Sequence, residues 1–445
     1  MKMRQRILHW LALLALSTLN SQLSTVCAQL SFTANTYSAG SVPVWIVAAD
    51  VNGDGKLDLI SANNYDNTLT VLTNDGSGGF GSNATLHVGL EPSGVVAADV
   101  NGEGKQDLIC ANSGYSTLIV LTNNGSGTFG SNATLHVGAY PVCVVAADVN
   151  GDGKLALISA NRSDNTLTVL TNNGSGAFGS NATLQVGAQP TSVVAVDVNG
   201  DGKLDLITGT DLGNTLTLLT NNGSGTFGSN ATPKVGHRPR SVVAADVNGD
   251  GRPDLISANF DDSTLTVLTN NGSGGFGFNA TLNVGLEPTY VTAADLNGDG
   301  RPDLISANFA DGTLTVLTNN GRGGFGFNAT FRVDRGPACV VAADLNGDGK
   351  LDLVSLNQDG HTVTVLLNTT PFTNPPPLNI APAGNQFALY WPAWAANYAL
   401  YSTPDLSAPN WTAVTNTTWQ ALTNYATVTG VTLTNTSPAR FFRLQ

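Results

Sequence analysis

A strict 49-residue period runs through most of this chain. The nine-residue stretch DVNGDGKLD, from Asp50 to Asp58, recurs seven times with small changes, and its first aspartates are Asp50, Asp99, Asp148, Asp197, Asp246, Asp295 and Asp344. No interval carries an insertion or a deletion. Such a period means one supersecondary unit that cannot bury its apolar face alone and must stack against copies of itself.

Each stretch sets oxygen donors at loop positions 1, 3, 5 and 9, with glycines between them. The candidate metal ligands are Asp50, Asn52, Asp54 and Asp58; Asp99, Asn101, Glu103 and Asp107; Asp148, Asn150 and Asp152; Asp197, Asn199, Asp201 and Asp205; Asp246, Asn248, Asp250 and Asp254; Asp295, Asn297, Asp299 and Asp303; and Asp344, Asn346, Asp348 and Asp352. Calcium is a hard cation that takes six to eight oxygens in flexible geometry. By analogy with the EF-hand, the carbonyl of Lys56 at position 7 is a backbone ligand. The glutamate that an EF-hand carries at position 12 is replaced by Ser61, so Asp58 is expected to close the shell instead. The second copy lengthens position 5 to Glu103, and the third has Ala156 at position 9, so six calcium sites are expected and a seventh weak or empty one at Asp148. Asn-Gly and Asp-Gly turns without metal explain the glycines. They do not explain three carboxylates within nine residues, which repel one another.

This spacing resembles the calcium loops of integrin alpha-chain β-propellers and of bacterial FG-GAP and VCBS-type repeats, over about residues 30–369. The FG pair of that family recurs as Phe80-Gly81, Phe129-Gly130, Phe178-Gly179, Phe227-Gly228, Phe276-Gly277 and Phe325-Gly326. The resemblance implies a calcium-binding propeller of the kind found in cell-adhesion proteins.

Four short runs rich in Val, Leu, Ile and Thr divide each repeat, in the first copy at 44–49, 57–62, 67–72 and 80–88. The first two are nearly continuous apolar runs, expected to be covered on both faces; the third alternates. Four strands per unit and seven units predict an all-β, seven-bladed β-propeller at residues 29–369 rather than an open solenoid. The seventh repeat lacks its fourth strand, because Asn374 and Pro375 stand where Phe-Gly would recur. Residues 31–40 match the register of 80–89, so an N-terminal strand is expected to complete the last blade and close the ring.

Connections in such a blade alternate between two ends. The acidic loop and the Asn-Gly hairpin share one end, and the other end carries most of the variation between repeats. Trp45, Tyr65, Tyr115, Tyr140, Tyr290, Phe260, Phe309, His361, Arg162, His237, Arg238, Arg240, Glu91 and Glu287 lie there. Aromatic and arginine side chains on scaffold loops predict a binding face for an extracellular protein or glycan.

Residues 1–28 read as a secretory signal peptide: Lys2, Arg4 and Arg6, an apolar core at 7–19 too short to span a bilayer, and Val26 and Ala28 before a cleavage point. A secreted or cell-surface monomer without a membrane span is expected. The formal charge is −13, but 20 of the 32 acidic residues belong to the seven loops, so the acidity reads as a metal signature. No basic patch points to nucleic acid. Cys110, Cys143 and Cys339 fall in different repeats and read as packed strand residues rather than a disulfide framework. A Pro-rich linker is expected at 370–378. Beyond it, residues 379–445, with Trp391, Trp394, Trp411 and Trp419, read as a small β-sandwich similar to fibronectin-like modules of secreted bacterial proteins. No G-x-S-x-G, H-E-x-x-H or P-loop occurs, and the histidines are isolated, so no catalytic residue is assigned and no enzyme is expected. A glycan-binding or accessory polysaccharide-degrading role is the alternative to adhesion.

Overall fold

The computed structural model describes residues 29–371 and six short strands within 379–444. The expected signal peptide and most of the expected linker lie outside the described residues. A first strand, β1 (Phe32–Ser38), precedes a four-stranded blade of β2 (Pro43–Ala49), β3 (Asp58–Asn63), β4 (Thr68–Asn74) and β5 (Phe80–His87), hydrogen-bonded in chain order and antiparallel throughout. Five more blades repeat this pattern. The seventh pairs Pro337–Ala343, Asp352–Asn357 and Thr362–Asn368 with β1 as its outer strand, in a register from Phe32 opposite Asn368 to Ser38 opposite Thr362.

The chain is all-β, a seven-bladed propeller whose only helical element among the described residues is the single turn Ser113–Tyr115. The innermost strands touch their neighbours around the whole ring, and β2 of the first blade packs on Pro337–Ala343 of the last. Strand ends lie within a residue or two of the sequence expectation.

Apolar cores sit between blades rather than within them. Ile60, Leu69 and Val71 of the first blade pack with Val95, Leu108 and Leu121 of the second, and equivalent sets recur around the ring. Burying a Leu or Ile this fully is worth roughly 1.5–3 kcal/mol. Each blade therefore depends on its neighbours for stability. Every residue of β3 is buried, as a strand covered on both faces requires.

The strand β4 departs from the expected alternation: Thr68 and Thr70 are buried along with Leu69 and Val71. The cause is a polar core. The Asn63 side-chain amide donates to Thr68 Oγ1 (3.1 Å) and Thr70 Oγ1 (2.8 Å), and Ser61 Oγ donates to Asn63 Oδ1 (3.1 Å). Threonine can therefore be buried here without an unmade hydrogen bond.

A register shift between Pro43 and Trp45 recurs in every innermost strand. At this register stand Trp45, Gly94, Cys143, Ser192, Ser241, Tyr290 and Cys339. Trp45 and Tyr290 meet edge to face, ring centroids 5.6 Å apart, although their blades are not neighbours. The two aromatics thus reach across the axis, and smaller residues in the other blades leave them room.

At the C-terminal end, Asn379–Ala383, Gln386–Pro392 and Val428–Thr434 form one three-stranded sheet, and Thr412–Ala413, Leu400–Thr403 and Phe441–Leu444 form another. The rest of the expected sandwich lies outside the described residues.

Candidate metal loops and the variable face

The acidic loop joins the first and second strands of each blade, and the hairpin at 74–80 joins the third and fourth. Lys56 Nζ donates to the Asp75 carbonyl (3.0 Å), and Asn74 Nδ2 to that of Leu57 (3.0 Å), so both connections share one end of the ring. The other end carries the remaining turns: Val88 N donates to the Asn67 carbonyl, and Glu91 N to Asn67 Oδ1.

Within the first loop the Asp50 carboxylate accepts Gly53 N (2.7 Å) and Gly55 N (2.8 Å). Gly53 and Gly55 have φ of 78° and 81°, values that side-chain-bearing residues rarely adopt. Asn52 Oδ1 accepts Asp54 N (2.9 Å), and Asp54 Oδ1 accepts Lys56 N (3.0 Å). The paired bonds to position 1 recur at Asp99, Asp148, Asp197, Asp246, Asp295 and Asp344. Position 3 accepts the position-5 amide likewise at Asn101, Asn150, Asn199, Asn248, Asn297 and Asn346. Asp152, Asp201, Asp250, Asp299 and Asp348 repeat the bond seen at Asp54, whereas Glu103 pairs with Lys105 Nζ at 3.5 Å. Lysine or arginine at position 7 also flanks the position-5 carboxylate, as in Lys56–Asp54 at 3.7 Å.

Position 9 lies deeper. Asp58 is fully buried; Oδ2 accepts Val51 N (3.2 Å) and Oδ1 accepts Asn74 N (2.9 Å). Asp107, Asp205, Asp254, Asp303 and Asp352 make the same two bonds. Burial pushes these carboxyls above the usual range. The backbone amides oppose that shift, and the carboxylates at positions 5 and 1 add to it. The rise is largest at Asp303, to about 7, and Asp352, to about 6. The third loop keeps its internal bonds although Ala156 occupies position 9, so the loop conformation does not depend on that carboxylate.

The donors in each loop are oxygens only, the kind calcium takes. A carboxylate has about four lone-pair directions, so one that accepts two amides keeps acceptor capacity. Among the described residues no three acidic, histidine or cysteine side chains converge closely enough to hold a metal by themselves. A cation here would draw on the asparagine oxygen and backbone carbonyls as well. The residues fit calcium in kind.

One element of this end escaped sequence reasoning. Asn74, where the third strand enters its hairpin, also donates to the Leu345 carbonyl in the acidic loop of the neighbouring blade (2.8 Å). Asn123, Asn172, Asn221, Asn270, Asn319 and Asn368 do the same to Val51, Val100, Val149, Val198, Val247 and Leu296. The signal was an asparagine that recurs every 49 residues, but its partner lies in another repeat.

The variable end exposes Tyr65, Tyr115 and Tyr140. Trp45 and Tyr290, expected there as contact residues, instead pack on the axis. Arg162, Arg238 and Arg240 gather around Asp211. Glu91 caps the Ser113 turn through its carbonyl, and His361 Nδ1 accepts Val42 N (2.9 Å).

Fold and loops together define a seven-bladed propeller built from FG-type repeats. The FG-GAP-like repeat matches six overlapping segments, each running from one acidic loop just past the next, at residues 50–110, 99–159, 148–208, 197–257, 246–306 and 295–355. The chain belongs to this family. No curated protein matches it. Among solved structures it is similar to BBS1N, in a crystal of its complex with ARL6DN, at 12% identity and a TM-score of 0.59, covering 78% of this chain and 99% of that one. It is similar also to virginiamycin B lyase from Staphylococcus aureus, at 12% identity and a TM-score of 0.54, covering 76% and 99%. At such identities these likenesses concern the fold alone.

Proposed function

We propose that this chain is an exported, calcium-braced β-propeller that acts as a binding or adhesion scaffold and presents its variable face to an extracellular partner. The observation that carries this reading is the contrast between the two ends of each blade. One end repeats the same oxygen-rich loop seven times, and the other differs from blade to blade and exposes aromatic and charged side chains. A repeated end suits a structural task and a varied end suits recognition. Calcium supplies charge neutralisation to carboxylates that otherwise repel one another. The chain's own residues hold the loop ready, through the amides around Asp50 and the buried Asp58. The pairing of β1 with Thr362–Asn368 latches the ring and covers the edge of that strand. Among the described residues no helix is long and apolar enough to cross a membrane.

A propeller of like fold, BBS1N, is seen in complex with a protein, ARL6DN, which is consistent with a protein-binding face. The reading includes no catalysis. The exposed Tyr65, Tyr115 and Tyr140 favour a second reading, a glycan ligand stacked on aromatic rings. The test is metal analysis and a melting curve of the mature protein with and without chelator, followed by capture of protein ligands and a glycan array. Equal melting points in calcium and in chelator would remove the brace. Silence in both binding assays would remove the scaffold role.

A further inference from the structure

Three guanidinium groups converge on one buried carboxylate at the variable end. Asp211 is 1% exposed. Its Oδ2 takes Arg162 Nη2 at 2.5 Å, and its Oδ1 faces Arg238 Nε at 3.3 Å and Arg240 Nε at 3.6 Å. Gln189 Oε1 accepts Arg162 (3.2 Å), and the more exposed Asp261 accepts Arg238 Nη1 (3.2 Å). Three positive charges therefore meet one buried and one exposed negative charge, in a chain whose formal charge is −13.

The arrangement is rigid and incompletely satisfied. Arg238 and Arg240 both lie over the Phe260 ring, at 5.0 and 4.9 Å from its centroid, which fixes their planes. Arg240 Nε is buried without a hydrogen-bond partner. Burial lowers the Arg240 pKa; Asp211 opposes that, and the neighbouring Arg238 and Arg162 reinforce it. Arg240 Nε faces Asp211 Oδ1 at 3.6 Å, near enough for an ion pair but too long for a hydrogen bond, and a buried donor without a hydrogen bond calls for a reason.

Comparison between repeats isolates the cluster. Arg162, Asp211 and Phe260 occupy one register in three successive blades, where the others carry Asn64, Ser113, Phe309 and Gln358. Arg240 occupies the register of Ser93, Thr191 and Thr289, whose hydroxyls each donate to the next blade's proline carbonyl. Val44, Val142 and Ala338 fill the same register in three further blades and carry no hydroxyl, so Arg240 is the one cation among seven equivalent positions. The ring scaffold does not require the cluster, because the other blades close without it.

We propose that Arg162, Arg238 and Arg240 form a subsite for the carboxylate of a uronic-acid residue in an acidic polysaccharide. Asp211 shows that these guanidinium groups accept a carboxylate, whose planar oxygens match the guanidinium fork. The main chain of Tyr140, an exposed residue, adjoins that of Arg162, whose N donates to the Tyr140 carbonyl (2.9 Å). An aromatic side chain and the arginines thus belong to the same end of adjoining turns, a combination that suits a sugar bearing an acid. This inference deepens the second reading above but does not depend on calcium.

The experiment is calorimetric titration of the mature protein with a galacturonate trimer, a neutral maltotriose and a triaspartate peptide, at matched ionic strength. The expected result is saturable binding of the galacturonate trimer alone, weakened at least about tenfold by Arg240→Met, the scale of losing one charge-assisted contact. Arg162→Lys, which keeps the charge but not the fork, is the second variant should the first fail to fold. Equal binding of maltotriose, no binding of the trimer, stronger binding of the aspartate peptide, or full affinity in both variants would each overturn the proposal. Titration in calcium and in chelator, on protein that melts cooperatively in each, separates failure of this site from failure of the brace.

Discussion

Asn74 donates its side-chain amide to the carbonyl of Leu345 at 2.8 Å, joining residues 271 positions apart and the first blade to the last. The same amide nitrogen holds the Leu57 carbonyl, and its Oδ1 accepts Gly76 N (2.8 Å). One buried side chain thus ties its own hairpin, its own acidic loop and the loop of the neighbouring blade. Asn74→Ala leaves these groups without partners in a place water reaches poorly. The expected cost is about 2–4 kcal/mol, read as a lower urea midpoint at unchanged slope. Asn221→Ala, whose side chain makes the equivalent bonds to Val149 and Leu204, is expected to cost a similar amount. A loss below about 0.5 kcal/mol in both would show that the ring does not rely on this ladder.

The third loop offers an internal control for metal binding. It has the same backbone bonds as its neighbours but Ala156 in place of the buried carboxylate. Ala156→Asp is expected to add one calcium per chain by elemental analysis and to raise the melting temperature in calcium by a few degrees, with no gain in chelator. Asp254→Ala is expected to do the reverse. An unchanged metal count in both variants would mean that position 9 plays no part in holding a cation.

How far the sequence revealed this molecule depended on how far apart the cooperating residues lie. The blades were legible because the 49-residue spacing and the Asp-Gly loops are local, and local pattern decides where strands start and turn. The burial of Thr68 and Thr70 was not, because their partner Asn63 lies across a strand pair and the pattern shows only alternation. Trp45 read as a surface aromatic, yet it packs on the axis against Tyr290, a contact set by ring geometry. The Arg162–Asp211 pair lies one repeat apart in sequence, so it becomes visible only once adjacent blades are placed side by side.

The latch at β1 leads to a prediction about its edges. Tyr37 packs edge to face on Phe80 of the first blade, centroids 5.6 Å apart, and its hydroxyl donates to the Gly78 carbonyl (3.3 Å). It therefore joins the strand completing blade seven to the outer strand of blade one. Tyr37→Ala is expected to destabilise by about 2–3 kcal/mol and to raise protease sensitivity near residue 40. Tyr37→Phe keeps the ring contact and should lose about 0.5–1.5 kcal/mol. Unchanged stability in both would mean that closure is carried elsewhere in the ring.

The buried thiols give a test that needs no ligand. Cys110, Cys143 and Cys339 are free and buried. Burial pushes the Cys143 thiol up to about 11, partly offset by the Val193 amide, and the Cys339 thiol up to about 12; Cys110 is raised by burial further still. A raised thiol pKa leaves less thiolate at a given pH, and the thiolate is the reactive form. At pH 8 these three thiols in the folded protein are therefore expected to react with a disulfide reagent at least about a hundredfold more slowly than a free cysteine, and all three should react once guanidinium unfolds it. The rate should stay low in chelator if the ring holds together without calcium and rise there if the brace keeps it closed. Labelling of native, calcium-loaded protein at the rate of a free thiol would mean that the axis around Tyr290 and Trp45 is open to solvent rather than packed.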